Sequence, residues 1–118
     1  MRAANRDRGT ELASRVRKAA TFWTRLKGLR GRPGLADGEA LWIVPSRGVH
    51  TRGMSFPIDV VFLDRGMRVL AVEESLAPGR ISGIRWRART VLELPAGRIR
   101  LSGTRIGDRI EIGNTGET

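Results

Sequence analysis

The residues most able to do chemistry lie in one stretch, His50-Thr51-Arg52-Gly53-Met54-Ser55-Phe56-Pro57-Ile58-Asp59. His50 is the single imidazole of the protein. An imidazole titrates near neutral pH, so beside Thr51 and Asp59 it could be a general base, a metal ligand or a donor to an anion. One histidine without any cysteine makes a poor transition-metal site, because structural zinc takes four nitrogen or sulfur ligands. No metal and no other cofactor is expected. The plainer alternative is a loop histidine bonded to a neighbouring strand. Asp59 stands in front of the apolar run Val60-Val61-Phe62-Leu63, and its parity sets it on the face of Val61 and Leu63. A carboxylate there must be paired or hydrogen-bonded, since an isolated buried charge costs too much. Arg25, Arg30, Arg32, His50 or amides of the 51–56 loop are candidate partners. Asp59 is then either a pin joining loop to strand or, with His50, half of an acid/base pair. Met54, Phe56 and Trp42 either line an apolar pocket or belong to the core.

A second candidate is basic. Arg85, Arg87 and Arg89 alternate with Trp86, Ala88, Thr90, Leu92 and Leu94, as in a strand with one charged face. Alternate guanidinium groups would then stand about 6.5–7 Å apart, near the phosphate repeat of a nucleic-acid strand. Glu93 falls on this arginine face, as a surface ion pair or as part of a recognition surface. Stacking platforms are scarce: there is no tyrosine, and of three Trp and three Phe only Trp86 lies among the bases. No Gly-x-Ser-x-Gly elbow, paired-carboxylate motif or phosphate-loop Gly-Lys-Ser/Thr is present.

These residues need a scaffold. Residues 1–12 are polar and charged and are expected to form a flexible tail, as are 113–118. Val16, flanked by Arg15 and Arg17, suits a short edge strand. Phe22, Leu26 and Leu29 follow Thr21 at helical spacing, so a helix is expected over about 22–30, ended by Gly31 and Pro33. Ala40–Val44 is a short strand stopped by Pro45. Ile58–Leu63 is a continuous apolar strand, buried on both faces, that turns at Asp64-Arg65-Gly66 and returns over Met67–Val72. A strand over about 85–94 is broken by Pro95-Ala96-Gly97, and a last short strand covers Arg109–Ile112. The expected class is mainly β with one short N-terminal helix, in a single domain over 13–112 that is sandwich-like, jelly-roll-like or a partly open barrel. No βαβ unit is visible, which excludes a Rossmann-type site.

Composition sets the outer bounds. The 118 residues suffice for one domain with a core. No apolar run approaches the roughly 20 residues that span a bilayer, and no leader precedes the domain, so a cytoplasmic protein is expected. The net charge of +10 suits a polyanion partner, whether nucleic acid, an anionic membrane surface or an acidic ligand. Against that, all bases but Lys18 and Lys27 are arginine, a skew that GC-rich coding produces without selection for binding.

Three blocks carry a family resemblance: Thr21–Arg32 with its Gly28-Leu29-Arg30-Gly31-Arg32 exit, His50–Asp64, and Val91-Leu92-Glu93-Leu94-Pro95-Ala96-Gly97 followed by Gly107-Asp108. In this order the sequence resembles the DUF192 (COG1430) domains. The resemblance implies a compact β-sandwich and no assigned activity, cofactor or partner. The expectation is a non-catalytic, ligand- or partner-binding domain that recognises anions. Its site residues would be His50, Thr51, Met54, Asp59, Arg30, Arg32 and Glu93, with Arg85, Arg87 and Arg89 as an anion-binding stripe. A hydrolase using His50 and Asp59, and a non-specific nucleic-acid binder, are the alternatives.

Overall fold

Val16 is buried between exposed Arg15 and Arg17, and this segment does form a strand at a sheet edge. The computed structural model describes residues 1–20 and 34–114. In chain order the strands are β1 (Arg2–Asn5), β2 (Thr10–Ala13), β3 (Arg15–Ala19), β4 (Glu39–Ile43), β5 (Ile58–Leu63), β6 (Val69–Leu76), β7 (Thr90–Pro95) and β8 (Ile110–Gly113). One helix, α1 (Arg98–Ser102), lies between β7 and β8. The strands make two sheets, a three-stranded one ordered β2-β1-β8 and a five-stranded one ordered β3-β4-β7-β5-β6. All pairs are antiparallel except β3 with β4. The sheets do not close into a barrel, and the architecture is mainly β and sandwich-like.

The apolar run of β5 is explained by cover on both sides, since every one of its residues is buried. On one side Val61 and Leu63, with Leu92 and Leu94 of β7, pack against Ala3, Leu12, Ala13 and Ile110 of the small sheet. On the other side Ile58, Val60, Phe62 and Val91 lie under Val49, Met54, Phe56 and Ala88, which come from loops. The β5–β6 hairpin matches its expected turn: Asp64 Oδ1 accepts the amides of Gly66 and Arg68 at 2.9 and 3.0 Å.

Two expectations are corrected, and a third falls outside the described residues. Residues 1–12 are no loose tail but supply β1 and most of β2. Ala3, Asn5 and Leu12 are buried, Arg2 pairs with Glu11, and Arg8 reaches Asp108. Of Ala3, Asn5 and Leu12 only Leu12 is a large apolar residue, so little hydrophobic signal marks the inward positions. Among the described residues the helix is C-terminal, not N-terminal: α1 follows Gly97, whose φ of 95° needs glycine. Five residues are too few to show a helical period. The helix expected over 22–30 lies outside the described residues. Finally, the strand expected over 85–94 begins only at Thr90. Residues 85–88 form a turn closed by the Ala88 amide on the Arg85 carbonyl, 2.9 Å.

Candidate functional site

Two loops without acidic residues, 44–57 and 77–89, meet above the outer face of the large sheet. They are stapled along their length. The Ser82 amide donates to the Val49 carbonyl at 2.9 Å, the Thr51 amide to the Arg80 carbonyl at 2.8 Å, and the Arg85 amide to the Arg47 carbonyl at 2.8 Å. Side chains complete the closure. Thr51 Oγ1 donates to the Ala77 carbonyl at 2.6 Å and accepts the Arg80 amide at 2.8 Å, while Ser82 Oγ accepts the Val49 amide at 2.9 Å. Gly48 permits the contact, because a Cβ there would sit 2.7 Å from the Gly83 carbonyl oxygen.

Beside this seam opens a cleft of about 790 Å³. Val49, Ile81, Ile84, Trp86 and Ala88 give it apolar walls, Arg47, Arg52 and Arg89 give it cations, and His50 adds an imidazole. Among the described residues no carboxylate lines it. Such a lining can take an apolar body and hold an acidic group by charge-assisted hydrogen bonds.

The structure distributes the expected site residues unevenly. His50 is half-buried in the cleft wall and forms an isolated β-bridge with Ile81. Thr51 is fully buried as a loop staple, and Met54 belongs to the core beneath. Arg30 and Arg32 lie outside the described residues. Glu93, expected among surface arginines, is fully buried, because β7 runs between β4 and β5 and both its faces are covered. The arginine stripe is broken up: Arg89 lines the cleft, the Arg85 guanidinium sits 5.4 Å from the Phe62 ring centre, and Arg87 is exposed on the turn. The even guanidinium spacing expected of a strand therefore does not form.

Asp59 has no exposed surface. Its Oδ1 accepts the Ser75 amide at 2.8 Å, and its Oδ2 accepts the amides of Gly97 and Ile99 at 3.0 and 2.9 Å. It thus ties β5 to β6 and to the start of α1. An acid/base pair with His50 needs both groups open to one substrate, and Asp59 is covered on all sides.

A third buried carboxylate, after Asp59 and Glu93, escaped the sequence reading. Asp108 accepts from Asn5 Nδ2 at 2.9 Å, from Arg8 Nε at 3.0 Å and from the Arg105 amide at 2.9 Å. Burial alone would raise its pKa, but the Asn5 and Arg8 side chains, the Arg105 amide and the Arg8 charge together hold it below the ordinary value. Arg47, Arg52, Ile81 and Ile84 were also missed as site residues. Isoleucines isolated in a Gly/Pro-punctuated basic loop were the available signal.

Among the described residues, no group of three or more His, Asp or Glu side chains is placed to hold a metal ion. Nor is any described helix long and apolar enough to cross a membrane, which says nothing of strands.

The sequence and the fold have relatives. The model of the family described as DUF192, "Uncharacterized ACR, COG1430", matches residues 3–112. The chain belongs to the DUF192 family. It is similar to a UPF0127 protein of Thermococcus sibiricus, 30% identical, over 91% of this chain and 71% of that one. Two crystal structures share the fold. One is a protein of unknown function from Novosphingobium aromaticivorans, with a TM-score of 0.77 at 22% identity, covering 94% of this chain and 82% of that one. The other is a "putative transcription regulator" of Sinorhizobium meliloti, with a TM-score of 0.72 at 24% identity over 93% and 89% of the two chains.

Proposed function

We propose that this DUF192 protein is a non-catalytic binding domain whose cleft between the 44–57 and 77–89 loops takes a ligand with an apolar body and an acidic group. One observation carries the proposal: the cleft joins apolar walls to Arg47, His50, Arg52 and Arg89, and among the described residues no carboxylate lines it to repel an anion. The burial of Asp59 in a structural role supports a binder over a hydrolase. The dispersal of Arg85, Arg87 and Arg89 removes the even phosphate spacing that favoured nucleic acid, and one exposed tryptophan is a thin stacking platform.

Decanoate, naphthoate and decanol separate the two halves of the site. Titrated against the ¹⁵N-labelled protein, the two acids should shift amide resonances of 45–52 and 81–89 saturably. Decanol should bind more weakly. Arg89→Glu should lower acid affinity by about tenfold or more, the scale of one charge-assisted contact. No saturable shift with either acid, shifts confined to another surface, or equal binding of decanol would each overturn the proposal.

A further inference from the structure

The cleft is unusual in what it leaves outside. Trp86 is 75% exposed, Ile81 65% and Ile84 60%. A carrier of soluble amphiphiles gains by keeping its apolar wall away from water until the ligand arrives. Here three bulky apolar side chains stand out from one short loop instead. Scattered single apolar residues on a surface need no explanation, but three within six positions at the mouth of one cleft do.

Charge surrounds them. The loop carries Arg80, Arg85, Arg87 and Arg89, and the loop stapled to it adds Arg47 and Arg52. The twelve acidic residues of the chain all lie elsewhere. Six cations and no carboxylate in two loops concentrate the net charge at this end of the molecule. The apolar residues are mainly aliphatic, with a single aromatic ring, which suits acyl chains better than a series of nucleobases. Tryptophan prefers the headgroup level of a bilayer, where its ring is apolar and its N–H meets water. Arginines near an anionic leaflet each add to the attraction.

We infer that the 77–89 loop is a docking element for an anionic bilayer surface, with Ile81, Ile84 and Trp86 entering the headgroup region and the six arginines holding lipid phosphates. The inference rests on the cleft reading above and names its occupant as a membrane lipid. The seam to the 44–57 loop matters, because a loop that keeps its shape loses less conformational freedom on insertion.

Flotation of the full chain with vesicles tests this. Phosphatidylcholine vesicles should leave the protein behind, and vesicles containing phosphatidylglycerol should carry it, with binding weakened by salt. Ile84→Ser/Trp86→Ser should reduce that binding at least about tenfold, by removal of inserted apolar area. Arg85→Glu/Arg87→Glu should do the same by charge. All four side chains are exposed, so circular dichroism should show each variant folded. Binding that ignores Ile84→Ser/Trp86→Ser would mean attraction by net charge alone and would overturn the inference. Failure of vesicles alongside saturable decanoate binding overturns it while leaving the cleft reading intact. Failure of both removes both. Single-stranded DNA bound in place of vesicles, with loss on Trp86→Ala, would assign the loop to nucleic acid.

Discussion

Three backbone amides converge on the Asp59 carboxylate, and their donors belong to β6 and to the chain entering α1. An asparagine in its place would present an NH2 group to at least one of those donors. Asp59→Asn should therefore cost about 2–3 kcal/mol in urea unfolding, the scale of a buried charged hydrogen-bond centre. Decanoate affinity of the folded variant should be unchanged, because Asp59 does not line the cleft. A stable variant that loses binding would show that Asp59 belongs to the site. Asp108 makes a pH prediction. Its folded pKa lies below the unfolded one, so its contribution to stability is full above the ordinary carboxylate range. That contribution is lost as pH falls through the depressed folded value. The urea midpoint should drop as acid is added below about pH 4, and Asp108→Asn should flatten that slope while lowering stability at about pH 7. Parallel slopes for the two proteins would contradict the assignment.

The two stapled loops behave as one element. Gly48 has an ordinary φ, so its requirement is space and not backbone freedom: the Gly83 carbonyl occupies the place of a Cβ. Gly48→Ala should part the loops near the cleft mouth. Amide exchange should speed up at Val49, Thr51 and Ser82, while the amides of β5 and β7 stay protected. Decanoate affinity should fall with it. Uniform loss of protection across both sheets would mean instead that the loops are part of the global folding unit. Thr51→Val attacks the seam from the other side, since it removes one donor and one acceptor from a fully buried position; about 1–3 kcal/mol should be lost in thermal or urea unfolding.

Across the whole molecule, the small sheet is the lid of one core layer. Ala3, Leu12 and Ala13 have no exposed surface and pack with Val61, Leu63, Leu92 and Leu94. Removal of residues 1–13 would uncover that face of the large sheet and orphan Asp108 from both Asn5 and Arg8. The shortened chain should lose its cooperative thermal transition by circular dichroism and bind hydrophobic dye, as expected of a domain whose net stability is only about 5–15 kcal/mol. A sharp transition in that variant would show that residues 1–13 are dispensable.

Several features were legible in the sequence because local chemistry decides them. The β5–β6 hairpin follows from a continuous apolar run and an Asp-Arg-Gly turn. The β3 edge strand follows from one valine between arginines. The ends of β4 and β7 follow from Pro45 and Pro95-Ala96-Gly97. The need to satisfy Asp59 follows from its parity within β5. What only the tertiary structure decided depends on distant partners. Residues 1–13 look polar until the small sheet finds the core face, and Glu93 looks exposed until β7 is placed between two other strands. Arg85, Arg87 and Arg89 read as one stripe until the chain turns at 85–88. The cleft is the clearest instance. Its two halves are separate in sequence, and only the backbone bonds between Val49 and Ser82 and between Thr51 and Arg80 bring His50, Arg52 and Arg89 to the same apolar wall. No periodicity reports a contact between two irregular loops, because neither has a repeating face to show.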